Sequence, residues 1–172
     1  MKNMLLNKKA ISPVIATVII VAVTLTIAIA VAYWMGGIAG LYTRFEKIEV
    51  AGATVIKKSE TTASGTIYYW EITLTVKNTG SADATIDNII INGIPISQIQ
   101  DPTEKLAVTY DNTTVDLNNI RIPVNAGEEK KIVITVGEGA TVGSGKLASA
   151  MSVEIKIHTA AGKDYPKLIT LP

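Results

Sequence analysis

The chain contains no cysteine, which excludes disulfides and thiolate metal sites as supports for its fold. Histidine occurs once, as His158, inside the alternating stretch Val153 to Thr159 and on the face opposite Val153, Ile155 and Ile157. An outward strand residue fits that position better than a ligand or a general base. Aromatic residues make up 5% of the chain and its net charge is +1. No basic run and no aromatic stacking motif follows Arg44, so nothing argues for a nucleic-acid partner. Nucleophile elbows and phosphate-cradling glycine loops are missing as well. Asp111 and Asp116 bracket Asn112-Thr113-Thr114-Val115. That spacing lacks the alternating oxygen ligands and the glycine of a calcium loop, and it reads as a solvated turn. The residues assign no catalytic group, no metal and no cofactor, and they point away from an enzyme.

The most consequential absence is charge: none occurs from Ala10 to Thr43. A helix over that run, about 34 residues, would reach about 50 Å, whereas about 20 residues already cross a hydrocarbon core of about 30 Å. The surplus needs another apolar environment, and packing against copies of the same chain is the simplest one. Val and Ile crowd the run and would suit a strand in water, but a lone segment in a bilayer must satisfy its own backbone and therefore forms a helix. Ser12 and Pro13 suit its first turn, with Ser12 able to cap. Thr17, Thr24 and Thr26 can bond back to carbonyls within the helix. Ala28, Ala32, Gly36 and Gly40 recur every four residues, either as a ridge for close helix packing or as the composition of an alanine-rich stem. Gly36-Gly37 is the expected weak point, a hinge, or else a pair of glycines kept for close packing.

Ahead of the stem stand Lys8 and Lys9. The apolar run is at least twice as long as the core of an ordinary secretory signal, and Ala39-Gly40-Leu41 lies too deep in it to be a cleavage site. A cut at the small residue Ala10 would instead remove residues 1–10 as a leader and leave the stem, 11–43, intact. Lys2, Lys8 and Lys9 have no acidic neighbours, while Arg44 and Lys47 are interleaved with Glu46 and Glu49. Positive charge marks the cytoplasmic side, so the region 44–172 is expected to face outward.

Lys8-Lys9-Ala10 followed by Ile11-Ser12-Pro13-Val14-Ile15-Ala16 and an unbroken apolar helix resembles the class III signal peptide of archaeal type IV pilins. The resemblance covers roughly the first 40 residues. It implies cleavage between Ala10 and Ile11 by a prepilin peptidase, and extraction from the membrane by an assembly ATPase and its platform into a filament at the cell surface. Bacterial type IV pilins place a glutamate at the fifth mature position; here that position is Ile15, which favours the archaeal branch. The Ser12-Pro13-Val14-Ile15 string is more similar to adhesive pilins than to archaellins.

Residues 44–172 read as one β domain. Tyr68, Trp70, Ile72, Leu74 and Val76 alternate with mostly polar neighbours, as do Ile132, Ile134 and Val136, and Val153, Ile155 and Ile157. Turn signals stand at Asn78-Thr79-Gly80, Asn92-Gly93, Asn125-Ala126-Gly127 and Ala161-Gly162-Lys163. The expected class is therefore α+β: a long apolar helix followed by an immunoglobulin-like sandwich of about seven to nine strands. Asn112-Thr113-Thr114 is the single Asn-x-Ser/Thr sequon, placed in a segment that reads as a loop from Tyr110 to Val115, and on an outward domain it is a candidate glycosylation site.

These readings lead to a structural subunit that polymerises with itself through its helix, for adhesion. Two alternatives stay open: the archaellin of a swimming filament, and a membrane-anchored module binding a solute or carbohydrate through the Tyr68-Tyr69-Trp70 cluster.

Overall fold

A computed structural model describes residues 12–63 and 65–172. The chain divides into two compact units, Met1–Thr43 and Arg44–Pro172.

Among the described residues of the first unit, one helix, α1, runs over Pro13–Tyr42. The Ser12 carbonyl accepts the Ala16 N–H at 3.0 Å and starts the ladder, with Pro13 in the first turn where its missing donor costs nothing. The Ser12 hydroxyl makes no capping bond, contrary to expectation; the proline and the backbone alone define this end. Back-bonding of the threonines is present: Thr17 Oγ1 donates to Val14 O at 2.8 Å, Thr24 Oγ1 to Val21 O at 3.0 Å and Thr26 Oγ1 to Ala22 O at 2.8 Å. The helix ends as the Thr43 N–H reaches the Ala39 carbonyl at 3.2 Å, one residue before charge resumes at Arg44.

The second unit holds antiparallel strands β1 (Ile48–Thr62), β2 (Gly65–Asn78), β3 (Ala84–Ile91), β4 (Ile94–Pro95), β5 (Ala107–Tyr110), β6 (Thr113–Val115), β7 (Ile122–Val124), β8 (Glu129–Gly137), β9 (Thr141–Val142), β10 (Gly145–Lys146), β11 (Ser152–Thr159) and β12 (Asp164–Thr170). One five-stranded sheet has the order β1-β2-β8-β5-β6 and the other β12-β11-β3-β4, with β7 also on β3. A small β9-β10 ribbon stands apart from both. The α+β class is therefore present as a helix followed by antiparallel sheets. The described strands outnumber the expected seven to nine because β4, β6, β7, β9 and β10 are two or three residues long. A period of two cannot be read from so few positions.

Both sheets contribute to one buried cluster, which includes Trp70, Ile72 and Leu74 from β2, Ile86, Ile89 and Ile91 from β3, Ile132 and Ile134 from β8, and Ile155 and Ile157 from β11. Every member lies between Ile48 and Leu171.

Two bulges keep apolar residues facing that cluster. Ile86 and Ile89 are an odd number of residues apart and would face opposite sides of a regular strand. Opposite β3, His158 pairs with Asn88 and Thr159 with Ile86, so Asp87 is the extra residue and both isoleucines stay buried. In β1 the register jumps between Val50 and Gly52. That shift returns Ala53 and Val55 to the side of Ile48 and Val50, where all pack on the core.

Candidate functional site

Within the first unit, α1 is apolar along its whole length. None of its residues is buried, and Val14, Ile19, Val23, Ile27, Val31 and Met35 are among the large apolar side chains it exposes. Its 30 residues correspond to about 45 Å. Among the described residues it is the one helix long and apolar enough to cross a membrane. Its length and composition are compatible with an anchor or a signal sequence.

Ala28, Ala32, Gly36 and Gly40 all lie on α1, and the helix runs unbroken through Gly36-Gly37. A Cβ placed on Gly36, Gly37 or Gly40 would meet nothing within 4 Å. Among the described residues of the first unit no neighbour therefore requires these glycines. Lys8, Lys9, Ala10 and Ile11, the leader and cleavage residues, lie outside the described residues.

Asn112 sits at the tip of the β5-β6 hairpin. The expected loop from Tyr110 to Val115 is in fact a two-residue turn followed by a strand, with Tyr110 paired to Thr113. Asp111 has φ 48° and Asn112 φ 62°. Positive φ at both central positions is the type I′ geometry whose twist matches a hairpin, and Asp and Asn tolerate it better than other side chains. This is why a loop-like composition folds into strand here. Lys130 on β8 fixes the turn from the side. Its Nζ lies 3.2 Å from Asp111 Oδ2, 3.5 Å from Glu128 Oε1 and 5.3 Å from the centre of the Tyr110 ring. Burial, the largest influence on Lys130, lowers its pKa. The hydrogen bond to Asp111 and the charges of Glu128 and Asp111 outweigh it and raise the value above the ordinary 10.5.

His158 faces outward and is half-buried, as its position in the alternation implies. Its Nδ1 lies 2.6 Å from Asp164 Oδ1, and its Nε2 3.9 Å from Oδ1 of the bulge residue Asp87. Alternation from Ile86 puts Asp87 outside and alternation from Ile89 and Ile91 puts it inside; the bulge settles the outer side, beside His158. No group of three or more His, Cys, Asp or Glu side chains arranged to hold a metal ion occurs among the described residues.

The aromatic cluster is divided by the pleat. Trp70 is fully buried and its Nε1–H donates to the Pro172 carbonyl at 3.2 Å. Tyr68 is 47% exposed at the end of the same face. Lys57 covers it with Nζ 5.1 Å from the ring centre, and that ammonium is also held by Glu138 and by Ser149 at 2.8 Å. Tyr69 points to the opposite face, where Lys105 lies 5.8 Å from its ring.

No family model matches the chain, and no curated protein matches it either.

Proposed function

We propose that the chain is a structural subunit of an extracellular filament of the archaeal type IV pilus kind, polymerising through α1. One observation carries the reading: a 30-residue helix, apolar on every side, has no buried residue among those described. A bilayer would cover about 20 of its residues. Stems of neighbouring copies would cover the whole helix after it leaves the membrane, and the ridge Ala28, Ala32, Gly36 and Gly40 would let two backbones approach closely. Two antiparallel sheets sharing one core support an immunoglobulin-like sandwich as the head that coats such a filament. On this reading a prepilin peptidase trims the precursor between Ala10 and Ile11 in the cytoplasmic membrane, and an ATP-driven platform supplies the work of extraction.

The aromatic cluster gives little support to an anchored carbohydrate-binding module. A stacking platform needs open ring faces on one side of the sheet, but Trp70 is buried, Lys57 stands over one face of the Tyr68 ring, and Tyr69 points to the opposite side.

The test is the N-terminus and sedimentation of protein sheared from the surface of the source cells. A chain starting at Ile11 in sedimenting filaments is the expected result. A chain starting at Met1 and recovered only from detergent-solubilised membrane would replace the filament by an anchored module. For the adhesive role, deletion should abolish attachment and leave swimming intact; lost swimming with normal attachment would instead identify a swimming filament.

A further inference from the structure

We propose that Asn112 carries an N-linked glycan whose first sugar seats in the groove beside the β5-β6 hairpin. The inference rests on the outward orientation of the head under the filament reading.

Three features of the hairpin meet at this residue. The first is the acceptor pattern Asn112-Thr113-Thr114, with Asn112 and Thr114 both exposed. The second is a free nucleophile: the Asn112 carboxamide makes no hydrogen bond with any described residue. Asn78, Asn92 and Asn119 differ in this respect. Asn78 donates to the Ala82 and Val124 carbonyls, Asn92 Oδ1 accepts from the Glu154 N–H, and Asn119 Oδ1 accepts from Arg121. The neighbouring Asp111 is held by Lys130, so the turn stays in place without help from Asn112.

The third feature is a place for the product. Thr109, Tyr110, Asp111, Asn112, Lys131 and Val133 line a shallow cavity of about 300 Å³ along the outer side of β5 and β8. Thr109 pairs with both Thr114 and Val133, so the Thr114 side chain of the sequon and the cavity floor share one face of the sheet. Val133 offers an apolar patch to the floor. The Lys131 ammonium, which forms no ion pair among the described residues, offers a donor to sugar hydroxyls or to a uronic carboxylate. A glycan there would also shield β6, an edge of its sheet whose outer backbone groups are otherwise open to pairing with another chain.

The transfer requires a lipid-linked oligosaccharide phosphate as donor. The Asn112 amide nitrogen forms a bond to the anomeric carbon, the bond from that carbon to the phosphate oxygen breaks, and the lipid phosphate leaves. The proton lost by the amide ends on the leaving phosphate or its buffer.

The experiment is peptide mass mapping of the full-length protein isolated from its source cells, with fragmentation that preserves side-chain modifications. Trypsin releases Leu106–Arg121, which contains the sequon. We expect this peptide to carry a saccharide mass located on Asn112, lost in Asn112→Gln and Thr114→Val and retained in Thr114→Ser. In Lys131→Ala the glycan should remain attached but become more accessible to glycosidase, whereas unchanged accessibility would overturn the seat in the groove. A bare peptide from chains recovered in surface filaments would overturn the glycan and leave the filament standing. A bare peptide from chains that never reach the surface would overturn both. A modified peptide on protein that never sediments as filaments would keep the glycan and remove the filament. A saccharide located on Thr113 or Thr114 would also overturn the assignment.

Discussion

Thr159 is fully buried, and its hydroxyl donates to Glu46 Oε1 at 2.6 Å, 113 positions away in the chain. Around that bond the first residues of the second unit are pinned to it. Lys163 Nζ donates to the Glu46 carbonyl at 3.0 Å, the Ser81 and Ala82 N–H groups donate to Phe45 O at 2.8 and 3.0 Å, and the Thr79 N–H donates to Lys47 O at 2.7 Å. Residues 45–47 therefore belong to the head, and the stretch between the end of α1 and this clamp is short.

Gly80 makes the clamp possible. A Cβ there would collide with the Phe45 carbonyl and the Lys47 backbone nitrogen. The neighbour is main chain on every side and has no rotamer by which to yield. We expect Gly80→Ala to destabilise the head by about 2 kcal/mol, read as a lower denaturant midpoint at unchanged slope. An unchanged midpoint would mean that residues 45–47 are not held against the turn.

Because every buried cluster residue lies between Ile48 and Leu171, the head does not draw on α1 for its core. Residues 44–172 expressed alone are expected to be soluble and to unfold in one cooperative step. Aggregation, or a broad transition with no baseline, would show that the stem or a neighbouring copy completes the fold.

An Asp in place of Val23 puts a charge near the middle of α1, where no described side chain could pair with it. The expected penalty is about 3 kcal/mol at a membrane centre, seen as loss of membrane insertion or of filaments with the head still folded. Normal filament yield would place Val23 at a watery surface of the assembly and count against a packed apolar core.

Lys130 gives the head a defined pH response. Its folded-state pKa is raised above 10.5, so its contribution is fully present below the unfolded value. That contribution disappears as the pH rises through the higher folded value. The stability gap between the natural head and Lys130→Met should therefore hold steady through neutral pH and narrow above about pH 10.5. The paired surface charges Lys47 and Glu49 work at both ends of the scale. Hydrogen bonding to Glu49 raises Lys47, whose effect fades at high pH, and the same bond lowers Glu49, whose effect is lost as the pH falls below 4.5. Both are more exposed than Lys130, so salt should weaken them before it weakens Lys130. Denaturant unfolding across pH at low and high salt measures all three.

Much of the architecture was legible because it rests on local periodicity. The uncharged run reads as a helix because a lone apolar segment satisfies its backbone that way, and α1 is helical; alternating apolar positions in β2, β8 and β11 face the core as a period of two requires. Positions that break the period were not legible. Ile86-Asp87-Asn88-Ile89 fits no regular strand until the β11 register inserts a bulge at Asp87, and the same bulge gives His158 its second carboxylate. The hairpin at Asn112 was hidden for a related reason: its strands are too short to show a period, and its turn depends on two non-glycine residues with positive φ.

By itself, then, the amino-acid order determined the helix, the main strands, the turns with Asn-Gly or Gly, and the sequon, since each depends on near neighbours along the chain. Tertiary structure decided what depends on residues far apart in that order: the clamp joining Glu46 to Thr159, the burial of Trp70 but not Tyr68, and the side of the sheet on which Asp87 and Asn112 emerge. Hydrogen bonding and packing across strands set those relationships, and no local pattern encodes them.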